Sequence, residues 1–158
     1  MPTDVVVPTA RGDLAWGIYA GFAELVQSGS IAALPRIWIV EPFARLSHAL
    51  AGLSLHAHYA GQTAQLSTAG ATVTYLQYQA ATVSGGGAVV VGDDCARAAR
   101  QLLAAQGISA ELCAAAAFAG VSQLRQQSLL HGSSQVLWLL TANASRDPSL
   151  PDDQFASL

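Results

Sequence analysis

The sequence contains no lysine. Its seven basic residues are all arginines, distributed along the chain as Arg11, Arg36, Arg45, Arg97, Arg100, Arg125 and Arg146. A reaction that proceeds through an enzyme-bound Schiff base needs a side-chain amine, and a guanidinium stays protonated in proteins. This polypeptide alone therefore cannot supply an amine nucleophile from its side chains.

Charge of either sign is scarce. Only 11% of the residues are charged, 52% are hydrophobic, and the net charge is −3. The absence of a basic cluster argues against nucleic acid as a partner. Because so apolar a composition is unusual for a domain of this size, we expect a partner or a second copy to cover part of the surface.

Long apolar runs are also missing. No uninterrupted run reaches the length of a membrane span, and the first residues lack the basic-then-apolar order of a signal peptide. We therefore expect a cytoplasmic protein with no membrane partner.

Cysteine and histidine are few. Cys95 and Cys113 lie in apolar helical contexts, which favours buried free thiols over a disulfide. His48, His56 and His58 have no cysteine or acidic residue spaced to complete a tetrahedral site, so we expect no metal.

The segment Val5–Phe22, VVVPTARGDLAWGIYAGF, has the pattern of a strand, a turn and a helix. A β-branched run predicts a buried strand that ends at Pro8, and the turn Thr9–Asp13 leads into a helix. Its apolar positions recur at helical spacing, namely Leu14, Ile18, Phe22 and Leu25. Such a turn directs free N–H groups at one point, where the helix dipole favours an anion. An anion site and a plain N-cap at Asp13 both fit this pattern.

The remaining pattern predicts strands over 37–40, 88–91 and 135–140, and helices over 43–50, 93–106 and 113–127. Residues 72–76 fit a strand and the start of a helix equally well. For the helix that follows Gly92 we expect an inward face made of Cys95, Ala98, Ala99, Leu102 and Leu103. The alternation predicts one α/β domain over 1–145: a three-layer open sheet, mostly parallel, with helices on both faces. Residues 146–158 are predicted to be an irregular tail.

The order of several blocks resembles the C-terminal half of threonine synthase-like enzymes, which belong to the fold-type II pyridoxal phosphate enzymes together with tryptophan synthase β subunits. The blocks are VVVPTARGDLAWGIYAGFAEL, LPRIWIVEP, SGGGAVVVGDD, QGISAELCAAAAFAG and WLLTANASRD. The resemblance implies that the turn of Thr9, Ala10, Arg11, Gly12 and Asp13 contacts the cofactor phosphate. It also implies that Thr141 contacts the pyridine nitrogen, and that Glu111 and the turn at Gly85 lie close to the ring.

The family's lysine belongs to the N-terminal half. The resemblance therefore implies a split enzyme that acts on an amino acid by β- or γ-elimination or replacement once a lysine-bearing half or subunit docks. The alternative is a non-catalytic binding or scaffolding module derived from that fold, which the few glycines of the turn favour. An unrelated nucleotide-binding α/β domain would also use the turn after Val7.

Overall fold

The computed structural model of the chain describes residues 1–59 and 61–147. The strands are β1 (Asp4–Pro8), β2 (Arg36–Glu41), β3 (Gly87–Val90) and β4 (Val136–Trp138). The helices are α1 (Asp13–Gln27), α2 (Leu46–Leu50), α3 (Tyr75–Val83), α4 (Asp93–Ala104) and α5 (Leu112–Gln126), with short 3-10 turns at Leu66–Thr68 and Ala144–Arg146. Arg146, the first residue of the predicted irregular tail, is the last residue of the second 3-10 turn, and residues 148–158 lie outside the described part.

The four strands form one parallel sheet in the order β3-β2-β1-β4. In the register, Val6 of β1 lies between Trp38 of β2 and Trp138 of β4. The β-branched run of β1 is completely buried because helices cover both faces of the sheet. The expected open α/β sheet is confirmed, and all the described strand pairs are parallel.

The helices divide between the two faces and complete three layers. Helices α1, α2 and α3 pack on one face, whereas α4 and α5 pack on the other. Helix α5 comes close to the sheet because its inner surface is mostly alanine, and a Cβ at Gly120 would lie 2.9 Å from Val40 Cγ2. No described helix combines the length and apolar character required to cross a membrane.

The helix boundaries largely follow the predictions, with two differences in the middle of the chain. The helix predicted over 43–50 begins only at Leu46, where the Glu41 carboxylate accepts the backbone N–H groups of Arg45, Leu46 and Ser47. Residues 72–76 start a helix, since Thr74 and Gln77 form a capping box in which each side chain accepts the other residue's backbone N–H.

The inward face predicted for the helix that follows Gly92 is partly wrong. In α4 the buried residues are Ala96, Ala99 and Leu103, while the side chains of Cys95, Ala98 and Leu102 are exposed. In α1 only Ala15 is fully buried, and Leu14 and Leu25 are both 40% exposed. The buried positions of these two helices are thus alanines together with Leu103, whereas Leu14, Leu25 and Leu102 remain at the surface.

Candidate functional site

A cavity of about 320 Å³ lies at the carboxyl edge of the sheet, beyond the ends of β1 and β4. It is lined by Pro8, Thr9, Ala10, Arg11, Asp13, Leu14, Ser67, Thr68, Cys113 and Thr141. Its volume is at the lower end of the range of small-molecule sites, and the carboxyl edge of a parallel sheet is where such folds bind ligands.

The turn between β1 and α1 forms one wall of this cavity. Thr9 is buried, and its Oγ1 accepts the backbone N–H of Gly12 at 3.0 Å. Gly12 has φ 91° and precedes the first turn of α1, whose leading N–H groups have no carbonyl partner within the helix. The Arg11 side chain is exposed beside them. Backbone donors, the helix dipole and one guanidinium therefore favour an anion at this wall.

The opposite wall carries hydroxyl and thiol groups. Ser67 Oγ donates to Glu111 Oε1 at 2.7 Å, and Thr68 Oγ1 lies 3.7 Å from Cys113 Sγ. Burial raises the pKa of the Cys113 thiol, and the nearby charge of Glu111 adds to this effect against the hydrogen bond from Thr68. Cys113 is therefore a neutral thiol at physiological pH.

The structure brings together most of the site residues expected from the sequence. Four residues of the turn and Thr141 line the same cavity although they lie at opposite ends of the chain. Gly12 is buried within the turn. Glu111 accepts a hydrogen bond from the Ser67 hydroxyl. Gly85 is not brought to the cavity. It precedes the amino end of β3, at the opposite edge of the parallel sheet.

Sequence reasoning missed five lining residues: Pro8 and Leu14, which flank the predicted turn, and the three polar residues Ser67, Thr68 and Cys113. Ser67 and Thr68 come from a 3-10 turn in a segment without hydrophobic periodicity, and Cys113 comes from the first turn of α5. The predicted start of a helix at residue 113 was the one local signal near them. Ser67 and Thr68 lie beside Cys113 because of how the 61–73 segment folds, which the local sequence does not indicate.

The site combines donors for an anion at one wall with hydroxyl groups at Ser67, Thr68 and Thr141. These groups can hydrogen-bond a small ligand that carries an anionic group. Residues 1–142 match the family described as "Pyridoxal-phosphate dependent enzyme". The chain belongs to this family of pyridoxal phosphate enzymes, and the predicted resemblance to part of a fold-type II enzyme is confirmed.

Solved structures share the fold. The processed form of threonine deaminase isoform 2 from Solanum lycopersicum superposes with a TM-score of 0.69 and 20% identity, over 94% of this chain and 42% of that chain. The L-serine ammonia-lyase of the fungus Rhizomucor miehei superposes with a TM-score of 0.70 and 21% identity, over 90% of this chain and 45% of that chain. Maize serine racemase superposes with a TM-score of 0.68 and 19% identity, over 98% of this chain and 46% of that chain. This chain spans less than half the length of these three proteins, and no curated protein matches its sequence.

Proposed function

We propose that this chain forms the cofactor-binding wall of a pyridoxal phosphate enzyme that acts on an amino acid by β- or γ-elimination or replacement, as a threonine synthase-like lyase or synthase. The observation that carries the proposal is the meeting of the Thr9–Asp13 turn and Thr141 at one cavity. The turn and the Arg11 guanidinium hold the phosphate, and the Thr141 hydroxyl contacts the ring nitrogen. Glu111 approaches the ring through Ser67. Bound pyridoxal phosphate supplies an electron sink for cleavage at the α-carbon.

A second polypeptide segment that bears a lysine completes the site in this proposal. The chain has no lysine to remove the α-proton, and it spans less than half of its structural neighbours. Arg11, Asp13, Ser67 and Thr141 all line the cavity with exposed side chains, so the cavity is open on the side where a second segment would pack. Leu14 and Leu25 of α1, each 40% exposed, provide apolar surface for association with that segment or with a second copy.

Calorimetric titration of the full chain with pyridoxine 5′-phosphate tests the cofactor site. This compound keeps the ring and the phosphate but has no aldehyde, so it cannot react with the terminal amine. We expect binding by the wild-type chain and about tenfold weaker binding by Arg11→Ala, because a charge-assisted hydrogen bond to phosphate is lost. Arg125→Ala is the matched control, since it removes an exposed arginine of α5. Equal affinities of the two variants would remove Arg11 from the site.

The partner is tested by capturing the tagged chain from its native cell extract and recording an absorbance spectrum of the eluate. Co-elution of a lysine-containing polypeptide with absorbance near the visible edge supports the split enzyme. A chain that elutes alone and colourless, and stays colourless with added cofactor, is the non-catalytic binding module favoured by the single glycine of the turn.

A further inference from the structure

Gln77 connects helix α3 to the turn that forms the anion wall. It is 1% exposed, and its Nε2 donates to the Ala10 carbonyl oxygen at 2.6 Å. Its Oε1 accepts the Thr74 backbone N–H at 3.0 Å. The Thr74 hydroxyl in turn donates to the Arg11 carbonyl oxygen. Two successive carbonyl groups of the turn are thus bound by the capping box of α3.

Gly12 brings the turn and α3 into direct contact. A Cβ at this position would lie 2.6 Å from the Gln77 backbone nitrogen and 2.7 Å from its Cγ. The distance to the Gln77 backbone nitrogen is shorter than real Cβ contacts, so only glycine permits this approach. The φ of 91° disfavours residues other than glycine for a second, independent reason.

The direction of these carbonyl groups decides what the turn presents to the cavity. In a planar trans peptide the N–H points opposite to the C=O of the same unit. Binding the Ala10 oxygen on α3 therefore directs the Arg11 N–H away from α3. A free carbonyl oxygen near the cavity would repel an anion, whereas an N–H attracts it.

We propose that Gln77 is a positioning residue for the anion-binding turn: its carboxamide holds the Ala10 carbonyl on α3 and thereby sets the affinity for the cofactor phosphate. This inference rests on the proposed function of the cavity. Gln77 does not line the cavity and acts only through the backbone of Ala10 and Arg11. Thr74 assists through the neighbouring carbonyl group.

Gln77→Glu tests the inference with little change to α3. A glutamate at this position keeps the capping box, because its carboxylate still accepts the Thr74 N–H, but it has no N–H to donate to Ala10. Gln79→Glu is the matched control, since it makes the same chemical change two residues further along the same helix. Gln77→Met removes the donor without adding charge, so it separates the lost hydrogen bond from simple repulsion of the phosphate.

Two measurements on the full chain are read together. Hydrogen exchange at the Gly12 amide, which donates to Thr9 Oγ1, reports the order of the turn without ligand. We expect faster exchange in Gln77→Glu and Gln77→Met than in Gln79→Glu. We expect these two Gln77 variants to bind pyridoxine 5′-phosphate about tenfold more weakly than wild type.

Exchange at Gly12 that is unchanged in both Gln77 variants would overturn the positioning role, whether or not the ligand binds. Altered exchange with unchanged affinity would overturn the link to the phosphate. A wild-type chain with no affinity for pyridoxine 5′-phosphate would instead overturn the proposed cofactor site.

Discussion

Glu41 and Arg45 form an ion pair that is shielded from water at the carboxyl end of β2. Their side chains are each 1% exposed, and Arg45 Nε lies 3.6 Å from Glu41 Oε2. Arg45 also donates from Nη1 to the Gly70 carbonyl oxygen and from Nη2 to the Thr68 carbonyl oxygen. Burial lowers the pKa of Arg45, and the charge of Glu41 opposes that shift. The pair therefore binds the loop that carries Thr68 to the edge of the sheet.

Replacing Arg45 with alanine should destabilise the protein by about 3–5 kcal/mol, because it leaves the Glu41 carboxylate buried without a counter-charge. Urea unfolding followed by circular dichroism measures the difference. Arg97→Ala is the control, since its pair with Asp94 at 3.3 Å is exposed and such pairs contribute little. Equal loss in the two variants would contradict a structural role for the buried pair.

Gly12→Ala should be more destabilising than Gly29→Ala. Both glycines have positive φ, 91° and 72°, so alanine at either position costs about 1–2 kcal/mol in backbone strain. Only at Gly12 does the added methyl also meet the backbone of Gln77. We expect an extra loss of about 1–3 kcal/mol from this overlap. Chemical denaturation measures the difference in stability between the two variants. Equal unfolding midpoints would show that α3 shifts to accommodate the methyl group.

Asp93 gives the stability an acid-dependent component. Burial raises its pKa, but hydrogen bonds from the Thr63 hydroxyl, the Ala64 N–H and the Gln65 carboxamide outweigh burial and lower the pKa below its usual value. The folded state therefore stabilises the ionised form of Asp93 more than the unfolded state does. This stabilisation is present above the unfolded pKa of about 4 and is lost as the pH falls through the lower folded pKa.

Asp93→Asn should accordingly be less stable than wild type at pH 7. The difference in free energy of unfolding between the two proteins should become smaller below about pH 4. Unfolding free energies measured over this pH range test the expectation. Asp94→Asn, on an exposed side chain of the same helix turn, should follow the wild-type curve. A gap that stays constant with pH would show that the Asp93 charge does not contribute.

The two thiols should react at different rates with a disulfide reagent. Cys95 is exposed and Cys113 is buried, and burial raises the pKa of Cys113, which reduces its reactive thiolate. We expect one fast thiol in the native protein and two in urea, with the fast phase missing in Cys95→Ser. A bound ligand should slow Cys113 further, because this residue lines the cavity. Two fast native thiols would contradict the burial of Cys113.

Thr141→Val should weaken cofactor binding and leave the fold intact, because the exposed hydroxyl at the cavity is replaced by a methyl group of similar size. The affinity of the assembled complex for pyridoxal phosphate measures the effect. Thr72→Val, at an exposed position away from the cavity lining, is the control. Unchanged affinity in Thr141→Val would remove this residue from the proposed site.

Local patterns allowed the order of strands and helices to be predicted. The β-branched run before Pro8 is a strand, and a helix follows the turn as predicted. These features depend on interactions between near neighbours in sequence. The same order of blocks carried the family resemblance, which the match over residues 1–142 confirms.

The sequence by itself thus determined the order of most elements and their class, and it predicted the turn after β1 as a candidate anion site. Only the tertiary structure decided which residues share the cavity. Ser67 and Cys113 reach it, while Gly85 lies at the opposite edge. The physical reason is that all strands of a parallel sheet run in the same direction, so residues that follow a strand and residues that precede one lie at opposite edges. In addition, polar residues such as Arg45 and Gln77 are buried only because their hydrogen-bond partners, which are distant in sequence, lie beside them in the fold.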